Sequence, residues 1–119
     1  MRAPLSLAMS PSRGKMNAIP ADVLKRIVGD FGQEREIEVV QRLQKRLPEW
    51  MPNSTPERRY RCIVHLAQGQ LVALESAIRL CLEDPRDLIV AAEYESVDGE
   101  LVRRFDFTKP YDAARISNE

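Results

Sequence analysis

No apolar run in the chain approaches the roughly 20 residues that a membrane-spanning helix needs, so no helical membrane span is expected. An excess of either charge is missing too: 18 Lys and Arg face 18 Asp and Glu, a formal net charge of zero. Without a basic excess there is no general attraction to a phosphate backbone, and a nucleic-acid partner is not expected. Without an acidic excess the chain does not read as an acidic disordered tail. The five glycines stand singly, so no glycine-rich phosphate loop exists. A single histidine, His65, and two cysteines, Cys62 and Cys81, share no metal-ligand spacing. No Gly-x-Ser-x-Gly elbow occurs, and Ser76 faces no obvious base. No cofactor or metal is therefore expected.

What is present fits one ordinary domain. The 119 residues are 44% hydrophobic and 30% charged, enough to bury one core. Both cysteines fall inside apolar helical patterns. Across a helical hairpin turning near Gly69 they are offset by about 7.5 Å, at about 1.5 Å per residue. Disulfide-bonded Cα atoms sit about 5.5–6 Å apart. Free buried thiols in a reducing compartment follow, and a cytoplasmic location is expected.

Residues 1–19 hold Arg2, Arg13 and Lys15 but no acid. Their apolar stretch is short and is interrupted by Pro4 and Ser6, which argues against a secretion signal, although the composition is that of an organellar presequence. Met9 and Met16 are alternative starts. The segment is expected to be a tail outside the domain. Residues 20–109 are expected to form one helical domain, and 110–119 a frayed end.

A mainly α fold of about five helices is predicted. Leu24, Ile27, Val28 and Phe31 give a first helix over 20–31 one apolar face. Ile37, Val40, Leu43 and Leu47 do so for a second over 34–47, whose acids lead and bases trail as the helix dipole favours. In the following loop Trp50, held between Pro48 and Pro52, is expected to plug the edge of the core. Ser54 or Thr55 followed by Pro56 starts a third helix, with Tyr60, Ile63, Val64 and Ala67 inward and Gly69 ending it. The fourth, from Gln70 to Glu83, turns Leu71, Leu74, Ile78, Cys81 and Leu82 inward and runs antiparallel to the third.

Asp84-Pro85-Arg86-Asp87 is a compact capping signal for a fifth helix. Residues 88–97 fit either helix or strand, and helix is favoured by the cap. Val97-Asp98-Gly99-Glu100 is the one tight-turn signal, and the alternation beyond it predicts an extended segment with Phe105 and Phe107 inward. Glu93–Val97 is its candidate partner strand.

Charge is distributed unevenly along the chain. Residues 1–66 carry 12 bases against 7 acids, and residues 67–119 carry 6 bases against 11 acids. Such polarity can steer a charged partner or pair copies of the chain head to tail. Glu83, Asp84, Asp87, Glu93, Glu95, Asp98 and Glu100 concentrate in one stretch. The expected function is a small interaction module of accessory or immunity type. Its expected partner-binding residues are Asp84, Arg86, Asp87, Glu93, Tyr94 and Glu95, and its expected partner is a basic protein. The competing expectation is an enzyme using Asp84, Arg86, Asp87 and Glu93. A third is a regulatory nucleic-acid binder using Arg58, Arg59 and Arg61. Cys62 and His65, at i and i+3, can touch along a helix, but the same pattern arises from a core cysteine beside a basic face.

Two resemblances add to this. Leu66-Ala67-Gln68-Gly69, a helix, and Leu82-Glu83-Asp84-Pro85 together resemble the second half of a tetratricopeptide repeat. With no second copy in the chain, this implies a helical hairpin rather than a repeat array. Arg61-Cys62-Ile63, Leu66-Ala67-x-Gly69, Asp84-x-Arg86-Asp87-Leu88-Ile89 and Ala92-Glu93-Tyr94 resemble a group of small bacterial proteins with no assigned activity, over residues 57–107. That resemblance implies a fold unit and a bacterial source, but no chemistry.

Overall fold

The computed structural model describes residues 18–52 and 54–116. The tail expected over 1–19 lies outside the described residues except for Ala18 and Ile19, as do residues 117–119. The fold is mainly α, as the periodicity predicts.

Helix α1 spans Ala21–Phe31 and buries Val23, Ile27 and Phe31 at i, i+4 and i+8. A 3-10 turn, Gln33–Arg35, leads into α2, Glu36–Arg46. Here the buried row is Val39, Leu43 and Leu47. Ile37, expected inward, is 71% exposed. It lies about 200° round the helix from Val39, at about 100° per residue. Trp50 does not plug the core either; it is 76% exposed. Leu47 and Met51 fill that edge instead, and the Met51 sulfur lies 3.8 Å from the Cys81 thiol.

Helix α3, Pro56–Ala67, occupies the centre. The Thr55 hydroxyl caps it by accepting from the Arg58 N–H at 3.2 Å, with Pro56 in the first turn. Residues 59–64 are all buried, so the helix is enclosed on every side. Helices α1, α4 and α5 pack around it. The helix ends through Gln68 (φ +49°) and Gly69 (φ +77°). A Cβ at Gly69 would stand 2.4 Å from the Asp30 carbonyl oxygen, because the turn lies against the end of α1. Gly69→Ala is therefore expected to destabilise the fold by about 2 kcal/mol. Urea titration checks this, and an unchanged midpoint would show that the turn relaxes freely.

Helix α4, Leu71–Glu83, returns against α3 after this short turn. Arg42 and Arg46 of α2 both bond the Glu75 carboxylate, tying α2 to α4 across the surface. The Asp84 carboxylate caps α5, Pro85–Glu93, by accepting from the N–H groups of Arg86 (3.1 Å) and Asp87 (3.3 Å). The ambiguous stretch 88–97 is divided rather than uniform: helix to Glu93, then strand β1 from Tyr94 to Val97. β1 pairs antiparallel with β2, Glu100–Arg103, so that Tyr94 faces Arg103 and Val97 faces Glu100.

The end of the chain does not fray at Pro110. A four-residue helix α6, Tyr111–Ala114, turns the chain back so that Phe105 bridges Arg115 and the Ile116 N–H donates to the Arg104 carbonyl at 2.9 Å. Phe107 and Ala114 are buried in the core. These contacts join residues far apart in sequence and outweigh the weak local propensity of the segment.

Candidate interaction surface

The acids of the 83–100 stretch take quite different positions. Glu93, expected on an outward face, is fully buried. It closes the last turn of α5, one residue beyond buried Ala92. Its carboxylate accepts two hydrogen bonds from Arg58 (2.9 and 2.8 Å) and two from Arg103 (3.2 and 2.8 Å). A fifth comes from the Phe107 N–H at 3.0 Å. Its carbonyl accepts from the N–H groups of Arg104 and Phe105. Glu93 thus joins α3, α5, β2 and the C-terminal segment and is not free to meet a partner. The carboxylate in turn holds the Arg58 guanidinium above its ordinary pKa.

The Arg58, Arg59 and Arg61 cluster is likewise directed inward. The Arg59 Nη1 donates to the Ser54 carbonyl at 2.7 Å, and burial presses this guanidinium below its ordinary pKa. Arg61 pairs with Asp22 of α1 (2.9 and 3.1 Å) and donates to the Phe107 carbonyl at 3.2 Å. Asp22 also accepts the Tyr111 N–H at 3.1 Å. Burial opposes ionisation of Asp22, but Arg61 and the Tyr111 N–H outweigh it and hold the carboxyl below its usual range. The three cations expected to touch nucleic acid therefore serve the interior.

Of the other expected residues, Tyr94 is half-buried with the Arg103 guanidinium 6.0 Å above its ring. Glu95 pairs with Arg104 at 2.7 Å. Asp84 is occupied as the α5 cap, while Arg86 and Asp87 are exposed. Asp84 and Glu93 stand at opposite ends of the nine-residue α5, about 13 Å apart at about 1.5 Å per residue. The carboxylate–arginine set expected of an enzyme is not brought together.

What remains outside is an acidic rim in two parts. Glu83 and Asp87 flank the α4–α5 junction, and Asp98 and Glu100 sit at the hairpin turn. None of these four forms an ion pair among the described residues, and all are exposed. Arg79 and Arg86 are the exposed bases nearest to the junction in sequence.

Along α4, from the α3–α4 turn to Leu80, runs a mostly apolar groove of about 650 Å³, bounded by Leu66, Gln70, Val72, Ala73, Ser76, Ala77, Leu80 and Ala91. It follows from the composition of α4, in which nine of thirteen residues are apolar. A helix apolar on so many sides belongs in an interior, yet only Leu74, Ala77, Ile78 and Cys81 are buried. Val72 is 82% exposed, and Leu82, expected inward, is largely out. Glu83 follows Leu80 of the groove at i+3, and Asp87 precedes Ala91 at i−4, so each acid lies one helical turn beyond a lining residue.

Elsewhere, a cleft of about 620 Å³ separates α1 from α6, between Lys25, Arg26 and Gly29 on one side and Pro110, Tyr111 and Asp112 on the other. Cys62 and Cys81 are both buried and free; burial raises both thiols, Cys81 to about 11, so neither is a thiolate at neutral pH. Among the described residues no group of three or more His, Cys, Asp or Glu could hold a metal ion. No described helix is long and apolar enough to cross a membrane. Set against family models, curated proteins and solved structures, the chain matches none.

The groove is the feature that the inward stripe of α4 conceals. Val72, Ala73 and Leu80, with small Ser76 between them, form a second, mostly apolar row beside Leu74, Ile78 and Cys81. The signal lies in the surplus: one short helix carries more apolar residues than a single buried face can use.

Proposed function

We propose that this chain is a small protein-interaction module whose α4–α5 face receives a basic segment of another protein. The reading rests chiefly on the outer side of α4, an apolar surface uncovered by the described chain, with the exposed, unpaired carboxylates of Glu83 and Asp87 about one helical turn beyond Leu80 and Ala91. An apolar strip with acids one turn beyond it suits a segment that is apolar along one side and carries Lys or Arg at one terminus. The buried arginines and Glu93 support the same reading, because they commit the other charge clusters to the fold.

The test is capture on immobilised protein from an extract of its source cells. A retained protein should elute with moderate salt, should be lost on Glu83→Lys with Asp87→Lys, and should be lost on Ser76→Arg, which fills the groove. Retention that ignores salt and all three substitutions would remove the proposal.

A further inference from the structure

We propose that residues 104–116 form a strap across α1 and α3 that uptake of one proton on His65 releases. Besides its hydrogen bonds to Asp22, Arg61 and Glu93, the strap is held by aromatic side chains gathered around one pair of residues. Phe105 and Phe107 place their ring centroids 4.8 and 5.0 Å from that of His65, and their own rings stack at 5.1 Å. Tyr111 meets Phe107 edge-on at 5.6 Å, and the Arg26 guanidinium lies 4.8 Å above the Tyr111 ring. Arg26 Nη2 in turn stands 3.5 Å from His65 Nδ1. The strap therefore rests on a neutral imidazole and a guanidinium already close to contact.

Protonation would put a second cation beside Arg26. The charged groups facing the imidazole are few. From α1 there are Arg26 and Asp30, and Asp30 is already bonded to Arg26 at 2.8 Å. From the strap come Phe105 and Phe107, which carry no charge, and Tyr111, whose hydroxyl stays protonated and donates to the Arg61 carbonyl at 2.6 Å. On α3 itself, the His65 carbonyl accepts from the Gln68 side chain. Burial and Arg26 both press the imidazole below its ordinary value of 6.5, and Asp30 opposes them.

The sign of the linkage follows. With the strap lifted, His65 is hydrated and regains its ordinary value, so lifting takes up a proton. The opening constant is flat above about pH 6.5, rises as pH falls by at most about tenfold per pH unit, and levels off below the pKa of the closed form. Lifting would remove one wall of the α1–α6 cleft, and it would withdraw the Phe107 N–H from Glu93.

Native-state hydrogen exchange on the full chain tests this, with protection corrected for the intrinsic rate at each pH. Between pH 7.5 and 5, protection at Asp106, Phe107, Tyr111 and Ile116 should fall, by at most about tenfold per pH unit, while Ile63, Val64 and Ile78 hold theirs. His65→Gln should abolish the fall. Asp30→Asn, which removes the acid that favours the imidazolium, should move the fall to lower pH. Strap protection that is independent of pH, that falls equally in His65→Gln, or that falls together with the α3 and α4 amides would overturn the proposal. Should His65→Gln not fold, an unshifted profile in Asp30→Asn would overturn it alone.

Discussion

Replacing Glu93 with alanine should lower the unfolding free energy by about 3 kcal/mol, the lower end of the cost of breaking a buried ion pair. The figure follows from what is left behind. Glu93 is fully buried and accepts five hydrogen bonds, so its removal strands the Phe107 N–H inside the protein. The side chains of Arg58 and Arg103 retain 20% and 35% of their exposure, so water can reach both and soften the loss. The fall in thermal midpoint for a domain near 100 residues is then about 12–24 °C, at about 4–8 °C per kcal/mol. Glu93→Gln retains an acceptor for the Phe107 N–H and should lose roughly half as much. Paired urea and thermal titrations measure both. A loss below about 1 kcal/mol for the alanine variant would mean that the carboxylate does not join the four elements it touches.

Phe107→Ala should cost about 3–4 kcal/mol, within the range for truncating a buried phenylalanine. The ring is almost wholly buried and meets three aromatic neighbours. The Phe107 carbonyl and N–H also serve Arg61 and Glu93, so displacement of the backbone would disturb both buried ion pairs. Phe107→Leu refills much of the space and should cost about 1 kcal/mol. A global midpoint unmoved by Phe107→Ala would show that this ring does not help to hold the core together.

These two residues also show where sequence reasoning succeeds and where it stops. Local rules located the helices, because caps and turns are set by neighbours: Thr55 with Pro56, Asp84 with Pro85, Asp98 with Gly99. They also place Phe107 inward, and the candidate partner strand Glu93–Val97 forms from Tyr94 on, with Glu93 closing α5 instead. Local rules place Glu93 outside because a carboxylate at a helix end is ordinarily hydrated, and the residues that neutralise it lie 35 positions earlier and 10 later. Its position was nonetheless legible, four residues after buried Ile89 on the same helical face. The C-terminal segment looks frayed in sequence for a related reason. Tyr111 is fixed by Asp22 and Arg61, 89 and 50 positions away, and no local pattern records that. Size alone argues for Trp50 in the core, whereas Leu47 and Met51 pack there and Trp50 stays exposed.

One acidic stretch divides into a carboxylate that holds the fold, Glu93, and exposed carboxylates, Glu83 and Asp87, that do not. The most direct measurement sets the thermal midpoint of the Glu83→Lys/Asp87→Lys variant beside that of Glu93→Gln. Lysine at Glu83 suits the C-terminal end of α4, and lysine at Asp87 opposes the dipole of α5, so the two effects offset. The account predicts that the double variant stays within about 2–4 °C of the unaltered protein, as surface changes of about 0.5 kcal/mol do, while Glu93→Gln falls by about 6 °C or more. A double variant that melts as early as Glu93→Gln, or a Glu93→Gln that does not move, would contradict it.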